Sequence, residues 1–197
     1  MPSPYTGIPP AGWLEVTKRL VAAHPLKPEE IVEIALSSWR AIFDSKIGPK
    51  GFQIGKHIVP KPQIMGFFLH ELIPLELATR YPGKWSPERT AGDKDVVCLF
   101  DPHFSIEIKT SSHGSQIFGN RSYAQLGKAK KSKTGYYLAV NFEAFSTGKE
   151  TAEIKVIRFG WLDAEDWIGQ RAQTGQQARL SPAVERSKLL VLFRAVD

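Results

Sequence analysis

The segment Phe104-Ser105-Ile106-Glu107-Ile108-Lys109-Thr110 alternates apolar and polar residues, the pattern of a strand with one face in a core. Phe104, Ile106 and Ile108 turn one way and Ser105, Glu107 and Lys109 the other. Glu107 and Lys109 then stand side by side, roughly 7 Å apart at the backbone. Upstream, Asp95 heads the apolar run Val96-Val97-Cys98-Leu99-Phe100, and Asp101-Pro102-His103 reads as a turn. The two runs predict a β-hairpin that brings Asp95 to the same end of the sheet. Two carboxylates and an ammonium converging there suit phosphodiester hydrolysis. Mg²⁺, a hard cation, takes oxygen ligands such as Asp95, Glu107 and the Ile108 carbonyl between them, and leaves positions for water and phosphate. Mn²⁺ would substitute. Lys109 would lower the pKa of the attacking water or neutralise charge on the phosphate.

A Glu-x-Lys on the wet face of a strand is also an ordinary same-face ion pair. Three features favour chemistry: the acid on the adjoining hairpin strand, a preceding helix with carboxylates, and the charge pattern that follows. From Glu107 to Glu143 no acidic residue intervenes, while Lys109, Arg121, Lys128, Lys130, Lys131 and Lys133 fall in that stretch. A second acid-free stretch, Asp166 to Glu185, holds Arg171 and Arg179. With 26 basic and 20 acidic residues the chain carries +6, which permits a polyanionic partner without requiring one.

These residues need a scaffold. Trp13 to Ala23 and Pro28 to Phe43 show apolar residues at helical spacing and predict two N-terminal helices after a Pro-rich arm. A Gly/Pro-punctuated segment, Ile47 to Pro62, precedes a third helix at Gln63 to Leu77, carrying Glu71 and Glu76, which Pro74 should kink or break. Tyr81 to Pro87 reads as loop. Beyond the hairpin the pattern predicts a helix over Ser122 to Lys133, strands over Tyr136 to Phe145 and Glu153 to Trp161, and a short helix after Asp163 as N-cap. Gln170 to Pro182 reads as a polar loop and Leu189 to Val196 as a last strand. This is α/β with a mixed sheet. At 197 residues one compact domain is expected, with residues 1–62 as an arm and helices, a candidate dimerisation region, before a core over 63–197.

Composition excludes several classes. With 42% hydrophobic and 23% charged residues, and no apolar run near the roughly 18 residues a membrane span needs, the expectation is a globular protein without a membrane partner. The N-terminus has no basic region followed by an apolar one, so the cytoplasm is the expected compartment. The single cysteine, Cys98, sits in an apolar run and reads as a buried structural thiol. The five histidines are scattered and give no zinc spacing.

Gly92-Asp93-Lys94-Asp95 with the strand after it, then Ser105-Ile106-Glu107-Ile108-Lys109-Thr110-Ser111-Ser112, resembles the Asp…Glu-x-Lys signature of the PD-(D/E)xK nuclease superfamily. More narrowly, Ile108 to Ser112, Gly119-Asn120-Arg121-Ser122-Tyr123-Ala124-Gln125 and Thr174 to Leu180 resemble type II restriction endonucleases of the ScaI kind. The resemblance covers roughly Ile64 to Leu190. It implies a restriction-endonuclease-like core, a central mixed β-sheet flanked by helices. It also implies Mg²⁺ dependence, a homodimer that cuts both strands of double-stranded DNA at a defined sequence, and a cognate DNA methyltransferase. No proline precedes Asp95; Lys94 stands there, and Asp93 competes for the ligand role. Asp95 is preferred because it abuts the apolar strand. Glu71 resembles the acidic residue that many such nucleases place near the metal, and reads equally as a solvated helix carboxylate. Gln125 could orient Lys109 or a phosphate.

Sequence-specific cutting requires side chains at base edges, with Arg suited to guanine and Asn or Gln to adenine. Arg171, Gln173, Thr174, Gln176, Gln177 and Arg179 in the polar loop form one candidate element. Ser112, Gln116, Asn120 and Arg121, directly after the catalytic strand, form a second. Lys128 and the neighbouring Lys130, Lys131 and Lys133 fit contacts to backbone phosphates. Two other readings remain open at this point: a structure-selective or repair nuclease of the same fold, and a DNA-binding domain in which Glu107 and Lys109 are only an ion pair.

Overall fold

A computed structural model describes residues 2–124, 131–145, 151–169 and 177–196. The N-terminal periodicity becomes α1 (Trp13–Ala23) and α2 (Pro28–Asp44). At the start of α2, Pro28 supplies a preset φ and the Glu30 carboxylate accepts the Lys27 N–H at 2.9 Å. One stripe of α2 (Ile31, Ile34, Ala35, Trp39, Ile42) is buried. A third helix, α3 (Pro62–Arg80), follows.

Among the described residues one six-stranded sheet dominates, in the order β1 (Trp85–Pro87), β2 (Val96–Cys98), β3 (Ile106–Ser111), β5 (Gly135–Phe142), β6 (Ile154–Leu162), β9 (Leu189–Arg194). β3 and β5 are parallel and every other neighbour pair is antiparallel, so the sheet is mixed. β4 (Phe118–Asn120), β7 (Ile168–Gly169) and β8 (Gln177–Arg179) make a small antiparallel sheet, and α4 (Pro182–Ser187) leads into β9.

All of β5 is buried, so its two faces serve two cores. Tyr136, Leu138, Val140 and Phe142 join Ile106 and Ile108 of β3 and the apolar faces of α1, α2 and α3. Tyr137 and Ala139 face the other way, toward Tyr123, Trp167, Ala178 and Val184, which bring in the small sheet and α4. Glu107 and Lys109 alternate with Ile106 and Ile108 and so look toward this second side. The fold is thus the expected mixed α/β arrangement, with the three long helices on one face of the sheet.

Several local expectations are corrected. α3 passes through Pro74 without ending, although proline in a helix costs about 3 kcal/mol. Met65, Leu69, Ile73 and Leu77 form a fully buried stripe at every fourth residue, and that packing outweighs the lost hydrogen bond. Trp85–Pro87 is a strand, not loop: it pairs with β2 through Trp85↔Cys98 and Pro87↔Val96, and an edge strand tolerates proline. Phe104 belongs to a 3₁₀ turn, Pro102–Phe104, whose start is tied by the Asp101 carboxylate accepting the His103 N–H; β3 begins at Ile106. Of the helix expected over Ser122 to Lys133, a 3₁₀ turn at Arg121–Ala124 is described and residues 131–134 are not helical. The loop over Gln170 to Pro182 contains β8, and Ser181 caps α4, which the sequence reading did not anticipate.

Candidate active site

β3 is held on both sides, and each neighbour contributes to the site. On one side Val96 pairs antiparallel with Ile106, which sets Asp95 alongside the next residues of β3, Glu107 and Ile108. The Asp95 carboxylate accepts the Ile108 N–H at 2.6 Å, so the acid is fixed to the backbone of the strand that carries Glu107 and Lys109. On the other side the parallel register Glu107↔Tyr137 and Lys109↔Ala139 holds the two side chains over the second core.

Glu107 is 3% exposed and surrounded by donors. Lys109 Nζ lies 2.7 Å from its Oε1 and also donates to the Ile108 carbonyl at 3.1 Å. The Tyr123 hydroxyl donates to the same Oε1 at 2.5 Å, and Lys109 Nζ sits 4.7 Å from the centre of the Tyr123 ring. Glu107 Oε2 is buried and makes no aligned hydrogen bond; its charge is met by Lys131 Nζ at 2.9 Å. The same Lys131 ammonium lies 2.8 Å from Asp95 Oδ1. From α3, His70 Nδ1 stands 3.5 Å from Asp95 Oδ2.

These contacts set the charge states. Burial alone would raise the Asp95 carboxyl, but His70, Lys109 and Lys131 outweigh it and hold the group well below the usual carboxylate range. Burial likewise opposes ionisation of Glu107, and so does Asp95, yet Lys109 and Lys131 prevail and the carboxyl is lowered. Lys131 pays for burial too, but the two carboxylates raise it above an ordinary lysine. Burial, with Tyr137 and Glu107, pushes Tyr123 far above a normal phenol, so it stays a donor at any working pH.

Two carboxylates thus converge on one cation position, marked by Lys131. Among the described residues no three His, Cys, Asp or Glu side chains cluster as a metal cage. A magnesium site does not need one, because one or two carboxylates with water and phosphate oxygens suffice. The buried Oε2 of Glu107, without a hydrogen bond, and the ionised Asp95 beside it are the donors such an ion takes. The residues present therefore fit the ion.

Asp95, Glu107, Lys109 and the Ile108 carbonyl come together. Asp93 does not join them: its carboxylate accepts the backbone N–H groups of Arg89 and Thr90 in an exposed turn. Glu71 is exposed on α3, and the preceding residue, His70, is the one that reaches Asp95. His70, Tyr123 and the inward turn of Lys131 were not anticipated. In sequence Lys131 reads as a basic residue suited to phosphate, whereas here its ammonium bridges the two acids. Lys94, where a proline was absent, donates to the Ser132 carbonyl at 3.0 Å, and burial draws its ammonium down to about 8.

Glu107 opens into a pocket of about 330 Å³ that Lys109, Tyr123, Lys131 and Asn120 also line. Asn120 also lines a larger cleft of about 760 Å³, with His70, Ser112, Asn120's neighbour Gly119, and Gln177 on its walls. Ser112, Asn120 and Gln177 thus lie along one surface beside the acids. Gln116 is half-buried nearby in chain, and Arg179 is exposed on β8. Gln125, Lys128, Arg171, Gln173, Thr174 and Gln176 lie outside the described residues, as does the side chain of Arg121.

The family model described as ScaI restriction endonuclease matches residues 3–193 of the chain. The type II restriction enzyme ScaI of Streptomyces caespitosus is 48% identical over 193 residues, which cover 96% of this chain and 84% of that protein. A match that runs through both cores and every element of the site means that the chain belongs to the ScaI restriction endonuclease family.

Proposed function

We propose that Asp95, Glu107 and the Ile108 carbonyl hold Mg²⁺ for the hydrolysis of double-stranded DNA at a defined sequence. As a member of its family the protein is a type II restriction enzyme, a site-specific deoxyribonuclease. The observation that carries the reading is the meeting of the buried Glu107 and half-buried Asp95 carboxylates at one cation position, 2.9 and 2.8 Å from the same ammonium.

A bound Mg²⁺ would supply Lewis-acid compensation for the charge that builds on the scissile phosphate. The chain's own groups have separate tasks. Ile108 N–H holds Asp95 in place, and Tyr123 holds Glu107. Lys109, fixed between Glu107 and the Ile108 carbonyl, presents a positive charge at the mouth of the pocket, where it orients water or neutralises a phosphate oxygen. Ser112, Gln116, Asn120, Arg121 and Gln177 from one side, with Arg171, Gln173, Thr174, Gln176 and Arg179, provide donors and acceptors for base edges, and Gln125 and Lys128 for the backbone. Cutting both strands calls for two such centres, hence a homodimer. A host that carries the enzyme needs a cognate methyltransferase to protect its own sites.

The test is digestion of plasmid DNA with Mg²⁺, followed by sequencing of the ends. A single recurrent sequence at the ends, cutting stopped by EDTA, and loss of cutting in Glu107→Ala and Lys109→Ala with an unchanged far-UV spectrum are expected. Cutting in EDTA, or by both variants at the original rate, overturns the assignment.

A further inference from the structure

Beneath the strand that carries Glu107 and Lys109 lies a buried polar network that the chemistry does not use. Asn141, the residue of β5 paired with Ser111, is wholly buried, and Arg158 of β6 and Glu185 of α4 are 5% and 8% exposed. Burying an arginine and an amide is costly, and the cost is met only in part here, since Arg158 Nε is buried without a hydrogen-bond partner. Here the partners are mostly backbone atoms of one loop, residues 112–117. Asn141 Nδ2 donates to the His113 carbonyl at 2.9 Å and the Gln116 carbonyl at 3.0 Å. Its Oδ1 accepts from Arg158 at 2.8 Å, and the same guanidinium donates to the Ser115 carbonyl. Glu185, 3.9 Å from Arg158, accepts the Ile117 N–H at 3.1 Å.

Four backbone groups of a short loop are therefore clamped from below by three buried side chains on three different elements. Above the clamp the side chains of His113 and Ser115 are exposed and that of Gln116 is half-buried. Ser112 and His113 form part of the wall of the large cleft. Ile117 is buried and the His113 ring accepts the Ser115 and Gln116 N–H groups, so the loop is fixed from within as well as from below. Ser112, Ser115 and Gln116 are left at its surface, preorganised to read what lies against it. Holding such groups to within about half an ångström is what discrimination between closely similar ligands needs.

We propose that Asn141 and Arg158 are specificity-determining positioning residues that hold loop 112–117 in the geometry in which it reads the DNA. This rests on the reading that the loop faces DNA across the cleft. Hydrolysis at Glu107 and choice of site are then separable, because the clamp touches the loop backbone and not the acids.

The closing experiment uses the duplex site mapped by digestion and duplexes carrying one substituted base pair. Asn141→Asp keeps an acceptor for Arg158 and loses the two donors to the loop. It should lower the ratio of kcat/KM between cognate and substituted sites by about tenfold, the size of one base-edge hydrogen-bond pair, with Arg158→Lys acting in the same direction. The single-turnover rate on the cognate site at saturating enzyme should stay within about threefold, since the reacting groups are untouched. Unchanged discrimination in folded Asn141→Asp overturns the proposal. Should that variant not fold, Arg158→Lys decides by the same ratio: it keeps a charge beside Glu185 and loses the guanidinium that bridges Asn141 and the Ser115 carbonyl, and unchanged discrimination there overturns the proposal. Ser112→Ala with Gln116→Ala separates the two failures. If this pair leaves discrimination intact, the loop does not read DNA and the reading beneath the proposal falls with it. If it relaxes discrimination and Asn141→Asp does not, the clamp alone is refuted.

Discussion

Removal of one oxygen atom tests the site directly. Tyr123→Phe deletes the hydroxyl that donates to Glu107 Oε1 at 2.5 Å and keeps the ring, which packs on Trp167 at 4.8 Å and lies beneath Lys109. The lost bond is buried and has a charged acceptor, so it is worth about 1.5–3 kcal/mol. Lys109 and Lys131 remain, so Glu107 stays ionised and the fold survives. In a chain of this size about 2 kcal/mol corresponds to a fall of about 4–8 °C in Tm, measured by thermal scanning without metal. Groups that hold a metal ligand in place typically contribute 10–100-fold to activity, so cleavage in Mg²⁺ should slow by about that factor. A Tm within about 1 °C of the original protein would show that the hydroxyl does not hold Glu107, and the assignment of Tyr123 would fail. A fallen Tm with an unchanged cleavage rate would refute instead the role given to Glu107.

Two further outcomes concern the scaffold. His24, buried among Trp85, Phe104, Tyr136 and Phe159, is drawn down to about 4 chiefly by burial, so the folded protein prefers the neutral ring. Its contribution is complete above the unfolded value near 6.5 and is lost as pH falls toward 4. Urea unfolding should therefore lose about 3 kcal/mol over that window, and His24→Gln should remove most of this slope; an equal slope in the variant would refute it. At Gly160, an added Cβ would lie 2.0 Å from the Lys188 carbonyl oxygen, a backbone atom of the turn into β9. Gly160→Ala should cost about 1–3 kcal/mol in chemical unfolding, and unchanged stability would mean that β6 and this turn are not in such close approach.

Much of this was legible in the sequence, for local reasons. Strand alternation alone places Glu107 and Lys109 on one face, and the apolar spacing of Val16 to Ile42 predicts α1 and α2 within a residue of their ends. What was not legible depends on which element lies over which. Pro74 breaks a helix in isolation and is overruled by four buried residues on the same stripe. The short strand at Trp85 is hidden by Pro82, Gly83 and Pro87, and exists because Val96 to Cys98 offers it a partner. Tyr123, Lys131 and His70 reach the acids from a 3₁₀ turn, an irregular segment and a helix. Nothing in their own neighbourhoods announces that destination. The Asn141 clamp is hidden for the same reason: Asn141 stands in the otherwise apolar β5 and Arg158 among apolar residues of β6, and only the packing of loop 112–117 against them shows their partners.

The pairing of β4 with β8 joins two stretches that are far apart in the chain. Phe118↔Arg179, Gly119↔Ala178 and Asn120↔Gln177 stitch the segment after the catalytic strand to the end of the Gln170–Arg179 stretch. Gly119 leaves no room for even a Cβ, which would lie 2.6 Å from the Tyr123 ring, so the stitch is anchored beside the acids. An insertion or deletion of one residue in either segment would shift its register against the other and reverse the facing of its own side chains. Relatives that have drifted to a different target would thus be expected to change both segments together, by substitutions that preserve length. A target choice made by two stitched ladders is inherited as a unit, and grafting one of them alone into a relative would carry little of it across.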